Sequence, residues 1–202
     1  MSLDTYANLK TEIQDWAVRA VISATMDTLI DLIEAWANRN LRVRQMEVES
    51  TSAATEYMEL PDDFLELRDI QWQGSPRVQL TYCTPQQADE TDRDGAVDIP
   101  RYYTLIGNQI RLIPPPNAAT NVRIAYWQKV TPLSGSATTN WLLLAHPDAY
   151  LYGSLFHGLV WAQNPQVAGY IKDGWAQVVS EIQKMGKKSN IGGPLIARSM
   201  YL

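Results

Sequence analysis

The spacing of apolar residues changes twice along this chain, and that change limits the possible folds more than any single motif does. Near the start, apolar residues recur every three or four positions, which predicts amphipathic helices over 4–19, with Asp4 as N-cap, and over 27–40. Between 56 and 130, apolar and polar residues alternate in short runs typical of β-strands. After residue 147 the helical spacing returns. The order predicts an α+β protein.

The clearest local signal is "RYYTLIGNQIRLIPPP" over residues 101–116. Gly107-Asn108 separates two strand-like runs, as in a hairpin with a two-residue turn. The prolines that follow cannot donate ladder hydrogen bonds, so they end the second strand. With further runs at 56–60, 64–72, 76–82 and 121–127, this predicts a small antiparallel sheet or sandwich.

The predicted organisation is a helical core from both ends of the chain, a β-rich insertion and an extended arm. The core covers 1–55 and 131–185, and the insertion covers 56–130. The last two predicted helices run from Pro147 to about 162 and over about 166–185. Residues 186–202, "GKKSNIGGPLIARSMYL", contain three glycines and a proline, so we expect a non-helical arm there.

Charge is distributed unevenly. The chain carries −5 overall, but Lys184, Lys187, Lys188 and Arg198 follow the last acid, so the final stretch carries +4 and residues 1–183 carry −9. An acidic body argues against general nucleic-acid affinity. Cys83, the only cysteine, excludes an intramolecular disulfide and a thiolate-rich zinc site. The start lacks a secretory pattern and no apolar run suits a membrane span, so we expect a reducing cytoplasm and no membrane partner.

No motif predicts catalysis, a metal site or a cofactor. "HPD" at 146–148 indicates the start of a helix. His157 lies on the flank of an apolar stripe, which indicates a packed or interfacial residue. The acidic segment 86–100 resembles a calcium loop, but Arg101 falls where a bidentate glutamate is needed, so we expect a solvated loop. Carboxylate pairs suited to glycoside hydrolysis are expected by chance in a chain with 22 acids. These pairs are Glu56 and Glu59, Asp62 and Asp63, and Glu66 and Asp69.

Two stretches predict contacts with other chains. Small residues beside the apolar stripe of 147–162 allow a close helix approach, either within the chain or at a subunit interface. The candidate interface residues are Gly153, Ser154, His157, Gly158 and Trp161. The final segment is apolar and basic, which is typical of an arm that becomes ordered on a partner. Its candidate binding residues are Lys187, Lys188, Ile191, Pro194, Leu195, Ile196, Arg198, Met200 and Tyr201.

The chain resembles the head-to-tail connector (adaptor) proteins of tailed bacteriophages, including the tail accessory factors of short-tailed phages. The matching pieces are "TYANLKTEIQDW", "LPDDFLELRDI" (60–70), "RYYTLIGNQIRLIPPPNAATNVRIAYWQKVTPLS" (101–134) and "TNWLLLAHPDAYLYGSLFHG" (139–158). They occur in the expected order across most of residues 4–182, while the final 20 residues match in character only.

That resemblance implies a structural protein of the virion neck, assembled in the host cytoplasm. Such proteins form a ring, usually of twelve copies, beneath the portal, and the genome passes through without specific binding. The resemblance implies that helices 147–162 and 166–185 build the ring and that 186–202 grips the portal. The β-rich segment would face a tail nozzle, hub or fibre protein. Two alternatives remain open: a phage peptidoglycan hydrolase and a tail-fibre attachment module.

Overall fold

The computed structural model describes residues 3–17, 25–162 and 165–190, with side chains of the last helix described over 166–186. The chain divides into two compact units, one formed by 1–45 with 130–202 and one by 46–129. The first is helical and the second is mainly β, so the predicted α+β class is confirmed. Among the described helices, none combines the length and apolar character that a membrane span needs.

Over the residues that the structure describes, the helical unit contains two helices from the start of the chain and three from its end. They are α1 (Tyr6–Ala17), α2 (Met26–Asn40), α4 (Trp141–Ala145), α5 (Pro147–Trp161) and α6 (Pro165–Asn190). Pro147 occupies the first turn of α5 and Asp148 lies beside it, as the "HPD" motif predicts. The short helix α4, which the sequence analysis did not predict, begins where the Asn140 side chain accepts a hydrogen bond from the Leu143 N–H.

The core of the helical unit forms around α5, which packs against α1, α2, α4 and α6. Apolar residues at helical spacing on α1 and α2 supply fully buried side chains to this core, including Leu9, Ile13, Ile30 and Ile33. Tyr150 and Leu155 of α5 are buried as well. The helix periodicity of the sequence is therefore the direct cause of this packing.

Two helix ends differ from the sequence prediction. The Thr5 hydroxyl, and not Asp4, accepts the hydrogen bond from the Asn8 N–H at the start of α1. The last helix continues to Asn190, five residues beyond the predicted end at 185. Gly186 lies at a tight contact with Val43, where a β-carbon would stand 2.8 Å from Val43 Cγ1. The glycine therefore serves close packing inside the helix and does not end it.

The β unit contains eight strands and one helix, and every residue of 46–129 is described. The elements are β1 (Glu47–Ala53), β2 (Tyr57–Glu59), β3 (Phe64–Trp72), β4 (Val78–Gln79), β5 (Thr81–Tyr82), α3 (Pro85–Thr91), β6 (Tyr102–Ile106), β7 (Gln109–Ile113) and β8 (Asn121–Gln128). They form two four-stranded sheets, ordered β1-β8-β3-β4 and β2-β7-β6-β5. All pairs are antiparallel except β5 with β6. Strand β1 lies within 1–55, which the sequence analysis assigned to the helical core.

The two sheets share one apolar core. Trp72, Ile110, Leu112 and Ile124 are buried in it, with contributions from both sheets. The β6–β7 hairpin is confirmed, because Gly107 has φ +61° at the two-residue turn and Tyr102 pairs with Ile113. The predicted alternation of buried and exposed side chains along β8 is confirmed only in part. Ala125 and Trp127 are buried, and so are Val122 and Ile124.

The acidic segment is not a solvated loop throughout. Residues 85–91 form α3, which begins with a capping box between Thr84 and Gln87. Arg111 pairs with Asp89 and Asp92, at 2.7 Å each, and with Glu56 at 3.5 Å. The Asp92 side chain is only 8% exposed, so this arginine neutralises a buried carboxylate. The solvated-loop prediction is wrong for this part of the segment.

Candidate assembly surfaces

The small residues of α5 are used inside the helical unit. A β-carbon at Gly153 would clash with Ile33 Cδ1 and would lie 3.1 Å from Trp175 Nε1, so α2 and α6 approach this point closely. Ser154 is fully buried and Gly158 is buried. At Gly153 the structure shows the intrachain helix contact, one of the two alternatives that the sequence left open. A subunit interface that includes Ser154 and Gly158 stays a prediction.

His157 and Trp161 differ from those three residues because solvent reaches them. The His157 ring is half-buried, with its centroid 5.2 Å from that of Phe156 and 5.8 Å from that of Trp175. Burial lowers the pKa of His157, which favours the neutral ring beside these aromatic groups. Trp161 is 54% exposed at the end of α5. A subunit interface at these two residues stays a prediction.

Four exposed apolar side chains lie near the end of α5 and the start of α6, and Trp161 is one of them. Val160 is 54% exposed, Val167 44% and Tyr170 81%. We call Val160, Trp161, Val167 and Tyr170 the tip patch. These side chains continue the apolar spacing of α5 and α6 and are nevertheless exposed. Large exposed apolar groups of this kind mark interaction surfaces.

A cavity of about 230 Å³ lies toward the other end of α6. Its lining includes Arg44, Trp141, His146, Ile182 and Met185, and we call it the end cavity. The indole Nε1 of Trp141 is buried without a hydrogen-bond partner. Burial lowers the pKa of His146, so the ring is neutral near pH 7. Among the described residues that line the cavity, Arg44 is the one charged group and none is a carboxylate.

A buried polar network connects α2 to the segment that precedes α5. Glu34 Oε1 accepts hydrogen bonds from the Leu133 N–H at 2.8 Å and from the Tyr150 hydroxyl at 3.0 Å. Asn140 Nδ2 donates to the same hydroxyl at 2.7 Å. Burial raises the pKa of Glu34 above its ordinary value. The sequence analysis missed this network because residues 34, 133 and 150 are far apart in the chain.

Four of the six carboxylates that could have formed a hydrolytic pair have structural partners in the β unit. Glu56 pairs with Arg111, Asp69 with Arg123, and Asp63 accepts the Tyr126 hydroxyl. Glu59 accepts a hydrogen bond from Gln109. Within the described ranges, no group of three or more histidine, cysteine or acidic residues could hold a metal ion. These contacts assign the residues to packing of the sheets.

The candidate arm residues fall at or beyond the last described helical turn. Lys187 and Lys188 belong to the final turns of α6. Ile191, Pro194, Leu195, Ile196, Arg198, Met200 and Tyr201 lie outside the described residues. Their binding role stays a prediction from composition.

One comparison with known proteins gave a match. A family model described as SU10 adaptor protein matches residues 4–198, which is nearly the whole chain. A search of curated proteins gave no match.

Proposed function

The chain belongs to the SU10 adaptor protein family, a family of phage head-to-tail adaptors, and from this premise we propose that it forms a ring between the portal and the tail. The family match over residues 4–198 is the observation that carries the proposal. It covers both structural units, so the whole chain and not one fragment supports an adaptor role. We expect twelve copies in the ring and a place in the virion neck.

The helical unit supplies the ring in this proposal. Neighbouring helices of the unit cover α5 along most of its length. The surface that the unit offers to a neighbouring copy is therefore already formed in the single chain. The exposed tip patch supports a role in contact between chains, since an isolated monomer gains nothing from exposing these side chains to water.

The arm grips the portal in this proposal. Its basic and apolar residues, from Lys187 to Tyr201, add small contacts in every copy, and many copies acting together give strong binding. The β unit contacts a tail nozzle, hub or fibre protein. The genome passes through the ring without being held, because a protein with a net charge of −5 per copy offers little attraction for phosphates.

The first prediction concerns the arm. Deletion of residues 187–202 should leave a folded protein that no longer cosediments with purified portal rings, because the basic and apolar contacts are lost. Circular dichroism and urea unfolding establish that the shortened chain is folded. Negative-stain images of the full-length protein with the portal should show a ring at the portal vertex.

A control separates a charge effect from a specific contact. A variant with Lys129→Ser and Arg77→Ser removes two positive charges from the β unit and should cosediment normally. Full portal binding by the shortened chain would contradict the arm proposal. A protein that clears peptidoglycan in a zymogram, or that binds only tail fibres, would replace the adaptor by one of the two alternative functions.

A further inference from the structure

The two sheets of the β unit have four outer strands, and β1 is much the longest of them. Strands β4 and β5 contain 2 residues each and β2 contains 3, whereas β1 contains 7. A very short outer strand offers too few backbone groups for another chain to pair with, which is one way in which proteins protect the edges of their sheets. Strand β1 does not have this protection.

The free side of β1 presents backbone groups at every second residue. The Ala54 N–H donates to the Thr120 carbonyl at 2.8 Å, and the β1–β8 pairing continues from there in one register. Because hydrogen-bonded and non-hydrogen-bonded pairs alternate in an antiparallel ladder, the N–H and C=O groups of Glu49, Thr51 and Ala53 point away from β8. All three residues are exposed, so a further strand has room to pair with them.

Other common means of protecting an edge are also missing from β1. Proteins interrupt exposed edges with proline, with lysine or with a bulge. The sequence of β1, "EVESTSA", contains neither proline nor lysine. Its pairing with β8 has no register shift, although β3 has two such shifts on the other side of β8. The free side of β1 is therefore a regular edge that a strand can follow over its whole length.

Charged side chains make this edge negative. They lie on the outer face of the sheet, opposite to the face that carries Ile124 into the shared core. The acids on this face are Glu47, Glu49, Glu66 and Asp69, and the bases are Arg68 and Arg123. Arg123 is shared between Glu49, at 2.9 Å, and Asp69, at 3.1 Å. The Glu49 side chain is still 59% exposed, so it can accept a second cation.

We propose that an extended segment of a tail protein adds to β1 as a further strand of this sheet, with lysine or arginine facing Glu47 and Glu49. This contact rests on the proposed function, in which the β unit meets the tail, and it identifies the surface and the chemistry of that meeting. In strand addition, main-chain hydrogen bonds provide affinity and alternate side chains provide specificity. The cations of the added strand neutralise the excess of carboxylates on the outer face.

A second copy of the chain fits this edge less well. If two β1 strands paired about Ser50, Glu49 of each copy would face Thr51 of the other. The two Glu49 side chains would then lie on one face, at the diagonal spacing of about 7–8 Å, and would repel each other. The other outer strands of a second copy have only 2 or 3 residues. A basic strand from a different protein meets neither difficulty.

The second prediction is that a basic strand binds along β1. The probe is the peptide Thr-Val-Thr-Val-Lys-Val-Lys, whose lysines face Glu49 and Glu47 when it runs antiparallel to β1. Fluorescence anisotropy of the labelled peptide should show saturable binding, and an analogue with glutamate for lysine should bind about tenfold more weakly. Glu49→Lys should reverse this preference. Glu90→Lys, an equivalent charge reversal at an exposed position of α3, should not.

Two substitutions of Thr51 separate the backbone from the side chain. Thr51→Pro removes an N–H that faces the added strand and keeps those that bond to β8, so it should weaken binding of the probe by about tenfold. Thr51→Val keeps this N–H and should bind the probe as the unchanged protein does. Urea unfolding checks that both variants are folded.

N-methylation of the probe gives the same test without any change to the protein. In the proposed register, the amides of the threonines and lysines face β1 and those of the valines face away from it. Methylation of the first set should abolish binding, and methylation of the second set should not. Equal effects of the two methylations, or no binding of the unmodified probe, would overturn strand addition.

The same two variants separate this contact from the ring itself. On purified portals, Thr51→Pro should form rings as the unchanged protein does, but purified tails should not join them in negative-stain images. Thr51→Val should form rings that tails join. Normal joining of tails by Thr51→Pro, or a dimer of the chain that this substitution dissociates, would overturn the proposed partner and leave the adaptor proposal intact. Absence of any ring on the portal with the unchanged protein would instead overturn the adaptor proposal.

Discussion

At the scale of single residues, Glu34 holds the segment near residue 133, where the chain returns to the helical unit. Its side chain is 5% exposed and accepts hydrogen bonds from the backbone of residue 133 and from Tyr150. The amide of Val130 donates to Asn38 Oδ1 at 2.8 Å, one turn further along α2. These bonds attach an irregular segment to a helix that precedes it by about ninety residues. An apolar residue at position 34 would leave the Leu133 N–H and the Tyr150 hydroxyl without this acceptor.

The third prediction compares two substitutions of Glu34. Glu34→Ala should lower the free energy of unfolding by about 2–4 kcal/mol, because the Leu133 N–H and the Tyr150 hydroxyl each lose an acceptor. Glu34→Gln keeps an acceptor oxygen and should cost much less. Urea unfolding at pH 7 measures both variants.

The pH dependence provides an internal check. The folded state raises the pKa of Glu34, so it binds the proton more tightly than the unfolded chain. The contribution of Glu34 to stability is therefore fully present below the ordinary pKa of glutamate and is lost as the pH rises through the raised value. As the pH rises from 4.5 to 7, the unchanged protein should lose stability relative to the Glu34→Gln variant. A difference that does not vary with pH would contradict this assignment.

At the scale of elements, the sequence predicted the helices and strands that a short stretch of residues identifies by itself. The hairpin at β6–β7 follows from Gly107, because a positive φ at a two-residue turn needs a residue without a β-carbon. Strand β1, "EVESTSA", was missed because it has one large apolar residue and no clear alternation. Helix α3 is too short for a periodic pattern, although the Thr84–Gln87 capping box could have revealed it.

The candidate surfaces could be predicted only in part. Trp161 was predicted as an interface residue and is exposed, but periodicity could not show that Val167 and Tyr170 extend past the covering helices. Apolar spacing identifies one side of a helix and does not show where its neighbours end. The end cavity involves residues from three separate stretches, so no local pattern indicates it.

The fourth prediction uses two glycines on neighbouring helices. Gly153→Ala should lower the free energy of unfolding by about 1–3 kcal/mol, because the new methyl group would meet Ile33 inside a closed core. Gly174→Ala has no neighbour within 4 Å of the added carbon and should raise stability by up to about 1 kcal/mol through helix propensity. Thermal and urea unfolding of the two variants give the comparison. Stabilisation by both alanines would show that α2 does not restrict α5 at this point.

At the scale of the whole molecule, the β unit is an insertion with adjacent ends. Glu47, at the start of β1, pairs with Trp127, near the end of β8. Paired residues on antiparallel strands lie about 5 Å apart, so the chain leaves and returns at nearly one place. The hydrogen bonds of Glu34 that organise the helical unit join residues of that unit, Leu133 and Tyr150.

The fifth prediction follows from that arrangement. A chain in which a short glycine-serine linker replaces residues 46–129 should fold as a helical protein with cooperative urea unfolding. Its core contacts among α1, α2, α5 and α6 are all retained. Far-UV circular dichroism and the sharpness of the unfolding transition measure this outcome. Loss of cooperativity would show that the helical unit depends on the insertion for its stability.

The length of α6 determines how far apart its two ends lie. Its 26 residues span about 39 Å at about 1.5 Å per residue. A continuous helix is stiff, so an insertion of four residues would move one end by about 6 Å and turn it by about 40° about the helix axis. The position of any side chain at the end of α6 would therefore change in steps of whole residues and not gradually.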